Sequence, residues 1–369
     1  MHLKNIQLVQ FKNFSKVQLS FSSEINCFLG LNGSGKTNLL DAIHYLCLTK
    51  SAFNSVDTQS ILHGHHFFSV KGEFQKEEKI PEIHCLLEEG KKKQVFNNGK
   101  AYTKMSEHIG LLPIVLIAPD DTQLIKGGSE DRRRFFDSLI SQVDSLYLEK
   151  IIRYQHFLKQ RNALIKRFSE SNHIDTVLLE PYDKELIELS QWISTKRNEF
   201  LTLYTPLLHQ HYAEISGKRE EIQVSYESEV LEPAFPTHFK SSLRKDLFLK
   251  RTTRGIHKDD FDFQISGFPI KKFGSQGQQK SFLIALKLAQ FQIFKELKQT
   301  KPILLLDDIF DKLDDFRIKK MINLVADKEF GQLFITDARP ERSMEILAGV
   351  SSHTTYFEVR EGNVVRKEA

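Results

Sequence analysis

The spacing of apolar residues near the N-terminus predicts strands followed by a helix. Residues 3–21 alternate between apolar and polar side chains, which is typical of strands with one buried face. Residues 25–29 form a short, largely apolar run that predicts a buried strand, and apolar side chains recur at helical spacing over residues 39–48. The predicted order is therefore strand, glycine-containing loop and helix.

Residues 67–103 show the pattern of an antiparallel meander. Within it, Asn98 and Gly99 predict a two-residue hairpin turn, because both tolerate the positive φ that such a turn requires. The sequence therefore predicts a second, antiparallel sheet close in sequence to the first strands.

Long helices are predicted over residues 131–216, where glycine is rare and apolar side chains follow a roughly heptad-like spacing. A second helical stretch, over residues 184–212, follows breaks at Asn172 and Pro181. Two long helices with a short connection predict either a projecting antiparallel arm or a helical subdomain packed on the rest of the protein. The spacing leaves both alternatives open.

After residue 267 strands and helices alternate again. The predicted elements are a helix over residues 279–297, a strand over 302–306, a helix over 316–326 and a strand over 332–336. The chain is thus predicted to divide into three consecutive regions. They are an N-terminal α/β region over residues 1–130, an inserted helical lobe or arm over residues 131–245, and a C-terminal α/β region over residues 246–369.

Composition narrows the class of protein. Hydrophobic residues make up 40% and charged residues 27% of the 369 positions, as in ordinary globular proteins. The first residues lack the apolar core of a signal peptide, and no run approaches the roughly 20 apolar residues of a membrane helix. Cys27, Cys47 and Cys85 are isolated, which argues against a disulfide framework or a zinc site. We expect a cytoplasmic protein without a membrane partner.

Basic residues are unevenly distributed, although the net charge is only +4. Between Lys240 and Lys258 there are seven Lys or Arg residues and one acid, Asp246, and residues 132–134 are all Arg. Such clusters are most often solvated surface. They are also what contacts with the phosphates of DNA require, and Arg251 and Arg254 are candidates for such contacts.

The segment from Gly30 to Thr37 matches the phosphate-binding pattern G-x-x-x-x-G-K-[ST] in full. Glycines let backbone N–H groups turn towards phosphates, and the following helix N-terminus favours negative charge. We expect the Lys36 ammonium to reach the β- and γ-phosphates of ATP and the Thr37 hydroxyl to bind Mg²⁺. The predicted nucleotide-binding residues are Gly30, Asn32, Gly33, Ser34, Gly35, Lys36, Thr37 and Asn38.

A second motif follows the predicted strand over residues 302–306. This apolar strand ends in Asp307 and Asp308, the form of a Walker B motif. We expect Asp307 to hold Mg²⁺ through water, and Asp308 to orient or deprotonate the attacking water. Asp308 and Lys36 are the predicted catalytic residues.

Ser275, Gln276 and Gly277 stand immediately before the predicted helix over residues 279–297. A serine hydroxyl, a glycine N–H and a helix N-terminus make a second anion site, which one subunit does not need for its own ATP. We expect this signature to cap the γ-phosphate bound by a second protomer. Residues 310–314 then fall where the D-loop of ABC ATPases crosses the dimer interface.

These motifs together resemble the ABC ATPase heads of the SMC superfamily, and along nearly its whole length the chain resembles the RecF family. The resemblance is carried by residues 118–137, 252–260 and 274–280. It implies an α/β fold, an ABC-type ATPase head with a mixed sheet and an N-terminal antiparallel β meander, plus an inserted α-helical lobe or arm.

The resemblance also implies a function in recombinational DNA repair and replication restart. Its expected partners are double-stranded DNA, gapped DNA junctions and the protein RecR. ATP is expected to drive a homodimer to close on DNA near gaps and help load recombinase onto single strands, and hydrolysis is expected to reset it.

The chain departs from the family pattern at several positions. Asp308 stands where ABC ATPases usually have Glu, so we expect slow turnover. A switch His is common after the next strand, but residues 336–338 contain no His, so no γ-phosphate sensor is identified. The stretch Gly-Pro-His-Arg-Asp-Asp of the family reads Gly-Ile-His-Lys-Asp-Asp over residues 255–260. For the Q-loop, Asp120 and Gln123 are candidates.

Two other functions remain open at this point. A transporter nucleotide-binding subunit would share the ATP motifs, but the long helical insertion and the residues after Ser275 disfavour it. A non-hydrolysing adaptor would bind ATP only as a structural ligand. DNA-dependent ATP hydrolysis and phosphate release separate these alternatives.

Overall fold

The structure, a computed structural model, describes residues 1–171, 174–217, 220–308, 331–348 and 354–367. The chain divides into two units. The first unit comprises residues 1–121 and 290–369, and the second comprises residues 122–289. The predicted helix over 316–326 and the predicted D-loop, residues 310–314, lie outside the described residues.

The described strands and helices follow one another along the chain with these bounds. The strands are β1 (His2–Phe11), β2 (Phe14–Ser20), β3 (Ile25–Leu29), β4 (Phe67–Gln75), β5 (Glu82–Glu88), β6 (Gln94–Asn97), β7 (Lys100–Ala101), β8 (Ile114–Ile117), β9 (Ile222–Glu227), β10 (Asp260–Ile265), β11 (Phe268–Pro269), β12 (Ile303–Leu306), β13 (Leu333–Asp337), β14 (Thr354–Arg360) and β15 (Asn363–Lys367). The α-helices are α1 (Lys36–Leu48), α2 (Gln123–Lys126), α3 (Ser129–Val143), α4 (Ser145–Ser171), α5 (Glu180–Ser216), α6 (Phe235–Ser241), α7 (Leu243–Leu249), α8 (Ile270–Phe273), α9 (Gln276–Lys298) and α10 (Pro340–Ala348).

The first unit is built on a sheet with the strand order β15-β14-β3-β13-β12-β8. All neighbours from β14 to β8 are parallel, and β15 is antiparallel to β14. Because parallel strands direct their carboxyl ends to the same edge, the segments that follow β3, β12 and β8 meet there. Residues from the two ends of the chain are therefore brought together at one edge.

A second sheet of the first unit has the order β2-β1-β4-β5-β6-β7 and is antiparallel throughout. Its turn between β6 and β7 has φ values of 51° at Asn98 and 74° at Gly99, which confirms the predicted hairpin. The helix α1 is buried along most of its length, and one apolar core contains side chains of α1 and of both sheets. This packing holds the start of α1 against the parallel sheet.

The second unit combines helices with a three-stranded antiparallel sheet, β11-β10-β9. The predicted helices over 131–216 correspond to α3, α4 and α5. The strands β9, β10 and β11, which follow them in the chain, were not predicted. Phe136 of α3 stacks on Phe261 of β10 with ring centroids 4.0 Å apart, and the Tyr204 hydroxyl of α5 donates to the Leu286 carbonyl of α9 at 2.5 Å. The long helices therefore pack on a sheet and on other helices of their own unit.

The unit boundaries differ from the predicted region boundaries at 130/131 and 245/246. The structure divides the chain at 121/122 and 289/290. The C-terminal difference arises because residues 246–289 include β10, which pairs with β9, and most of α9, which packs on α5. Sequence patterning alone placed this stretch with the C-terminal α/β region.

Buried ion pairs join two of the sequence stretches that carry the family resemblance. Arg197 of α5, only 1% exposed, contacts Asp137 at 2.9 Å and Asp259 at 3.0 Å. Arg132 donates to Asp260 at 2.8 Å. Buried charges are stable only when they are paired and hydrogen-bonded, so loss of one partner here would leave an unpaired charge inside the second unit.

Candidate nucleotide-binding site

The segment between β3 and α1 adopts a turn that depends on its glycines. Gly33 and Gly35 have φ values of 81° and 110°, in the region that favours glycine. A Cβ at Gly35 would collide with the Asn13 side chain, and a Cβ at Gly30 would collide with the Val359 carbonyl. Conformation therefore requires Gly33, close packing requires Gly30, and both require Gly35.

Lys36 directs its charge into this loop. Its side chain is 4% exposed, and Nζ donates to the carbonyls of Gly30 at 2.9 Å and Leu31 at 3.1 Å. The loop thus surrounds the ammonium group with the backbone of its own first residues. A phosphate bound by the loop would meet this charge directly, which is the role predicted for Lys36.

Thr37 and Asp307 come together although they are 270 residues apart. The Thr37 hydroxyl lies 2.9 Å from Oδ1 and 3.0 Å from Oδ2 of Asp307. Oxygen ligands from a hydroxyl and one or two carboxylates, completed by phosphate and water, suit Mg²⁺. No group of three or more His, Cys, Asp or Glu side chains suited to a metal occurs among the described residues. The hydroxyl of Thr37 and the carboxylate of Asp307 fit an ion that takes its other ligands from nucleotide and water.

Thr336, near the end of β13, contacts both of the aspartate residues that follow β12. Its Oγ1 donates to Asp307 Oδ1 at 2.7 Å and accepts from the Asp308 N–H at 2.9 Å. Asp308 has a φ of 44°, which is uncommon for a residue other than glycine, so Thr336 helps to hold a strained backbone. From the sequence we noted only that residues 336–338 contain no His.

The electrostatics of Asp307 favour a cation. Burial raises the pKa of the Asp307 carboxyl, hydrogen bonds from Thr336 and Thr37 and the charge of Lys36 oppose that rise, and the nearby Asp120 carboxylate adds to it. Two carboxylates near a phosphate-binding loop repel each other until a cation binds between or beside them. Asp120 follows β8 in the first unit, whereas Gln123, the other Q-loop candidate, lies in the second unit.

Asn13 was missed by sequence reading. It lies at the turn between β1 and β2, donates from Nδ2 to the Ser34 carbonyl at 3.1 Å and accepts from Asn38 Nδ2 at 2.7 Å. Next to it, Lys12 pairs with the buried Asp41 of α1 at 2.6 Å. The β1–β2 hairpin therefore positions both the phosphate-binding loop and the start of α1. The motif itself contains no signal that identifies this remote partner.

The signature residues lie at the N-terminus of α9 in the second unit. Ser275 Oγ accepts from the Gln278 N–H at 3.2 Å, and Gln278 Oε1 accepts from the Ser275 N–H at 2.7 Å. This reciprocal pair is a capping box, so Ser275 also has a structural role that sequence reading did not assign. Ser275 and Gln276 are exposed and Gly277 is half-buried, which leaves the helix end open to a partner.

The basic residues divide into paired and exposed groups. Arg132 and Arg133 bind Asp260 and the Asp259 carbonyl, and Arg254 pairs with Glu229. Among the basic residues from Lys240 to Lys258, the exposed ones are Lys240, Arg244, Lys245, Lys250, Arg251 and Lys258. Exposure therefore makes this group better candidates for contacts with DNA phosphates than the paired Arg132, Arg133 and Arg254.

None of the helices in the described ranges of the chain is both long enough and apolar enough to cross a membrane.

Comparison with known proteins places these motifs in one family. The family described as "RecF/RecN/SMC N terminal domain" matches residues 2–357. The chain is 49% identical to the DNA replication and repair protein RecF of Flavobacterium johnsoniae over 96% of its own length and 99% of that protein. It is 48% identical to the protein of the same name from Cytophaga hutchinsonii, over 99% of this chain and 96% of that one.

Solved structures agree with this family. A structure of the recombination mediator protein RecF with ATP, in the RecFOR pathway, superposes with a TM-score of 0.89 at 29% identity and covers 100% of this chain and 98% of its own. The Smc head domain from Pyrococcus furiosus gives a TM-score of 0.57 at 19% identity, over 99% of this chain and 96% of its own. The predicted α/β head of the ABC and SMC type is thereby confirmed.

Proposed function

This chain belongs to the RecF family of DNA replication and repair proteins, and we propose that it is an ATP-dependent DNA-binding protein of recombinational repair. One observation carries the nucleotide-binding half of the proposal. The Thr37 hydroxyl lies within 3.0 Å of both carboxylate oxygens of Asp307, beside a complete phosphate-binding loop. That arrangement suits the binding of a divalent cation together with a nucleoside triphosphate.

Different residues of the first unit bind ATP and promote its hydrolysis. Backbone N–H groups of the loop and the Lys36 ammonium bind phosphates, while Thr37 and Asp307 would hold Mg²⁺. ATP and Mg²⁺ supply the phosphoryl group and the charge that neutralises it in the transition state. Asp308, whose backbone Thr336 holds, orients the attacking water. The Asp308 side chain is one methylene shorter than the Glu that ABC ATPases usually have at this position. This difference supports slow turnover.

The exposed signature supports an ATP-dependent homodimer. Ser275 and Gln276 present a helix N-terminus to solvent, and such an end binds anions. We place the signature of one protomer against the γ-phosphate held by Lys36 and Thr37 of the other. A mixture of Ser275→Arg protein and Lys36→Ala protein tests this arrangement, because in the heterodimer both lesions fall in one composite site.

The mixing experiment has a defined expectation. At equal concentrations of the two variants, ATP hydrolysis should rise from the mutants' baseline to roughly a quarter of wild type, since half of random dimers carry one intact site of two. Sedimentation must show that heterodimers form. Activity that stays at baseline despite heterodimers would mean that each signature acts within its own chain.

The partners follow from the family. The relatives are named for DNA replication and repair, and one solved structure for the RecFOR pathway. We propose double-stranded DNA beside gaps as the nucleic-acid partner, RecR as the protein partner, recombinase loading as the outcome and the cytoplasm as the location. Contacts with DNA go mainly to phosphates and depend on salt.

Sedimentation of the purified protein, with and without ATP and with and without gapped duplex DNA, tests the proposal as a whole. We expect a dimer with ATP and a larger complex when DNA is added. Phosphate release is measured in the same samples, with Asp308→Asn as the inactive variant and the exposed Lys92→Ala as the matched control. A protein that dimerises on ATP but releases no phosphate with DNA would be a non-hydrolysing adaptor.

A further inference from the structure

The helix α7 exposes an aromatic side chain in the middle of a basic surface. Phe248 is 85% exposed. Residues three and four positions apart lie on the same face of a helix, so Lys245 and Arg244 lie beside Phe248. Lys250 and Arg251 follow directly. We call the six residues Arg244, Lys245, Phe248, Lys250, Arg251 and Lys258 the α7 surface.

The opposite side of α7 is held firmly. Asp246 is completely buried and contacts the buried Arg161 at 2.7 Å. The same carboxylate accepts from the Thr253 N–H at 2.9 Å. Lys250, with a φ of 55°, ends the helix, and the Arg251 N–H then donates to the Asp246 carbonyl at 3.0 Å. Phe248 is therefore exposed by a rigidly anchored helix and not by a frayed one.

The charge of this surface is positive because its acid is buried and neutralised. Asp246 is the only acidic residue between Lys240 and Lys258, and Arg161 compensates its charge. Burial, and then the charges of Arg251, Arg133 and Lys245, lower the pKa of Lys258 against the Asp246 carboxylate, which raises it, so these cations lie near one another. Mutual repulsion of this kind is relieved by an anionic partner.

A partner that is both anionic and aromatic fits this combination. Phosphate groups complement the cations, and the face of a nucleobase stacks on an exposed aromatic ring. In continuous duplex DNA every base face is covered by its neighbours, whereas a gap leaves unpaired bases and an open terminal base pair. An acidic protein would complement the charge, but a nucleic acid offers phosphates and aromatic base faces together.

We propose that Phe248 stacks on an unpaired or terminal base at the edge of a gap in duplex DNA, while Arg244, Lys245, Lys250 and Arg251 contact the flanking phosphates. This inference rests on the proposed DNA-binding function and adds to it the feature by which a gap is distinguished from intact duplex. Phosphate contacts give affinity for any DNA, and the stacked ring gives preference for the gap.

The test compares a covalently closed duplex minicircle with the same minicircle carrying a gap in one strand. We expect Phe248→Ala to lower affinity for the gapped circle by roughly tenfold or more and to leave the closed circle unchanged. Phe248→Tyr should retain the preference, and Phe248→Leu, which is apolar but cannot stack, should lose it. A fluorescent base analogue beside the gap should be quenched by the wild type and by Phe248→Tyr only.

The salt dependence separates this inference from the proposed function. Arg251→Ala should weaken binding to both circles and flatten the dependence on salt, whereas Phe248→Ala should not change that slope. If the wild type binds neither circle, the DNA-binding function itself is wrong. If Arg251→Ala weakens both circles but Phe248→Ala binds as the wild type does, only the stacking inference is wrong, and an acidic protein partner becomes the better explanation. Equal losses on both circles, or full retention by Phe248→Leu, would also overturn it.

Discussion

Asp307 in the first unit and Asp259 in the second are both nearly buried, with 5% and 3% of their surfaces exposed, and burial raises the pKa of each. They differ in what opposes that rise. For Asp259 it is first the charge of Arg197, whose guanidinium lies 3.0 Å away. For Asp307 it is first the hydroxyls of Thr336 and Thr37 and only then the charge of Lys36, while Asp120 adds a like charge.

The difference separates a structural carboxylate from one suited to bind a cation. A guanidinium at contact distance neutralises Asp259 and leaves nothing for a ligand to compensate. Hydroxyl groups orient Asp307 but carry no charge, so its negative charge remains available to Mg²⁺. Sequence motifs alone do not distinguish these cases, because each of the two residues stands in a stretch that reads as a motif.

The largest expected effect is on the second unit. Replacement of Arg197 by Ala would leave Asp259 and Asp137 buried without their cation, which should lower the free energy of unfolding by about 3–5 kcal/mol. Urea unfolding measures the change. Arg134→Ala, which removes an arginine with 66% of its side chain exposed, is the control and should cost less than about 1 kcal/mol. Similar losses from both variants would contradict the structural role assigned to Arg197.

The matching change in the first unit should affect binding and not folding. Lys36→Ala removes the strong point charge of the phosphate-binding loop, so ATP affinity should fall by about a hundredfold while the fold is retained. Calorimetric titration with ATP measures the loss, and Lys92→Ala should titrate like the wild type. Unchanged affinity in Lys36→Ala protein would remove the basis for the nucleotide site.

The pH dependence of stability tests a further residue of the second unit, His257. Burial, and then the charges of Lys258 and Arg133, lower the pKa of His257 to about 4, against a hydrogen bond to Thr252 that raises it. Between pH 6.5 and 4 the unfolded chain binds a proton at His257 that the folded chain does not. The free energy of unfolding therefore keeps this contribution above pH 6.5 and loses it on acidification, by about 3 kcal/mol at most. His257→Gln should reduce this dependence. Parallel curves for the two proteins would exclude His257 as its source.

The smallest effect concerns the hydroxyl that orients Asp307. Thr336→Val removes one hydrogen bond that lowers the pKa of Asp307 and the acceptor for the Asp308 N–H, at a cost of about 1–3 kcal/mol in stability. The raised pKa should move the acidic limb of the pH profile of hydrolysis to higher pH, because Mg²⁺ requires the carboxylate. Thr336→Ser should restore the wild-type profile. A profile that does not move in Thr336→Val would show that Thr336 is only structural.

Local patterns predicted much of the first unit correctly. Residues 25–29 form β3, the helix after the glycine loop is α1, and Asn98 and Gly99 form the predicted turn. These features depend on side-chain periodicity and on residues that tolerate positive φ, both of which can be read from a few neighbouring positions. The roles of Lys36, Asp307 and Ser275 in ATP binding remain predictions.

The missed features depend on which strands become neighbours. Thr336 reaches Asp307 because β13 lies between β3 and β12, and Asn13 reaches Ser34 through the β1–β2 hairpin. Neither arrangement follows from periodicity, since strand order is not the order of the sequence. The strands β9 and β10 were missed for a related reason, because they are separated by α6 and α7 and pair across that insertion.

The interleaved strand order also determines which parts of the chain can fold during synthesis. The Leu3 N–H donates to Gln332 Oε1 at 2.7 Å across 329 positions, and β3 lies between β13 and β14, which are synthesised long after it. The second unit is one continuous segment, so it can fold while the ribosome still holds the chain. The phosphate-binding loop can adopt its final structure only after β12, β13 and β14 have left the ribosome. A nascent chain that stops before β12 would therefore carry a foldable second unit and an unprotected β3, a natural substrate for chaperones.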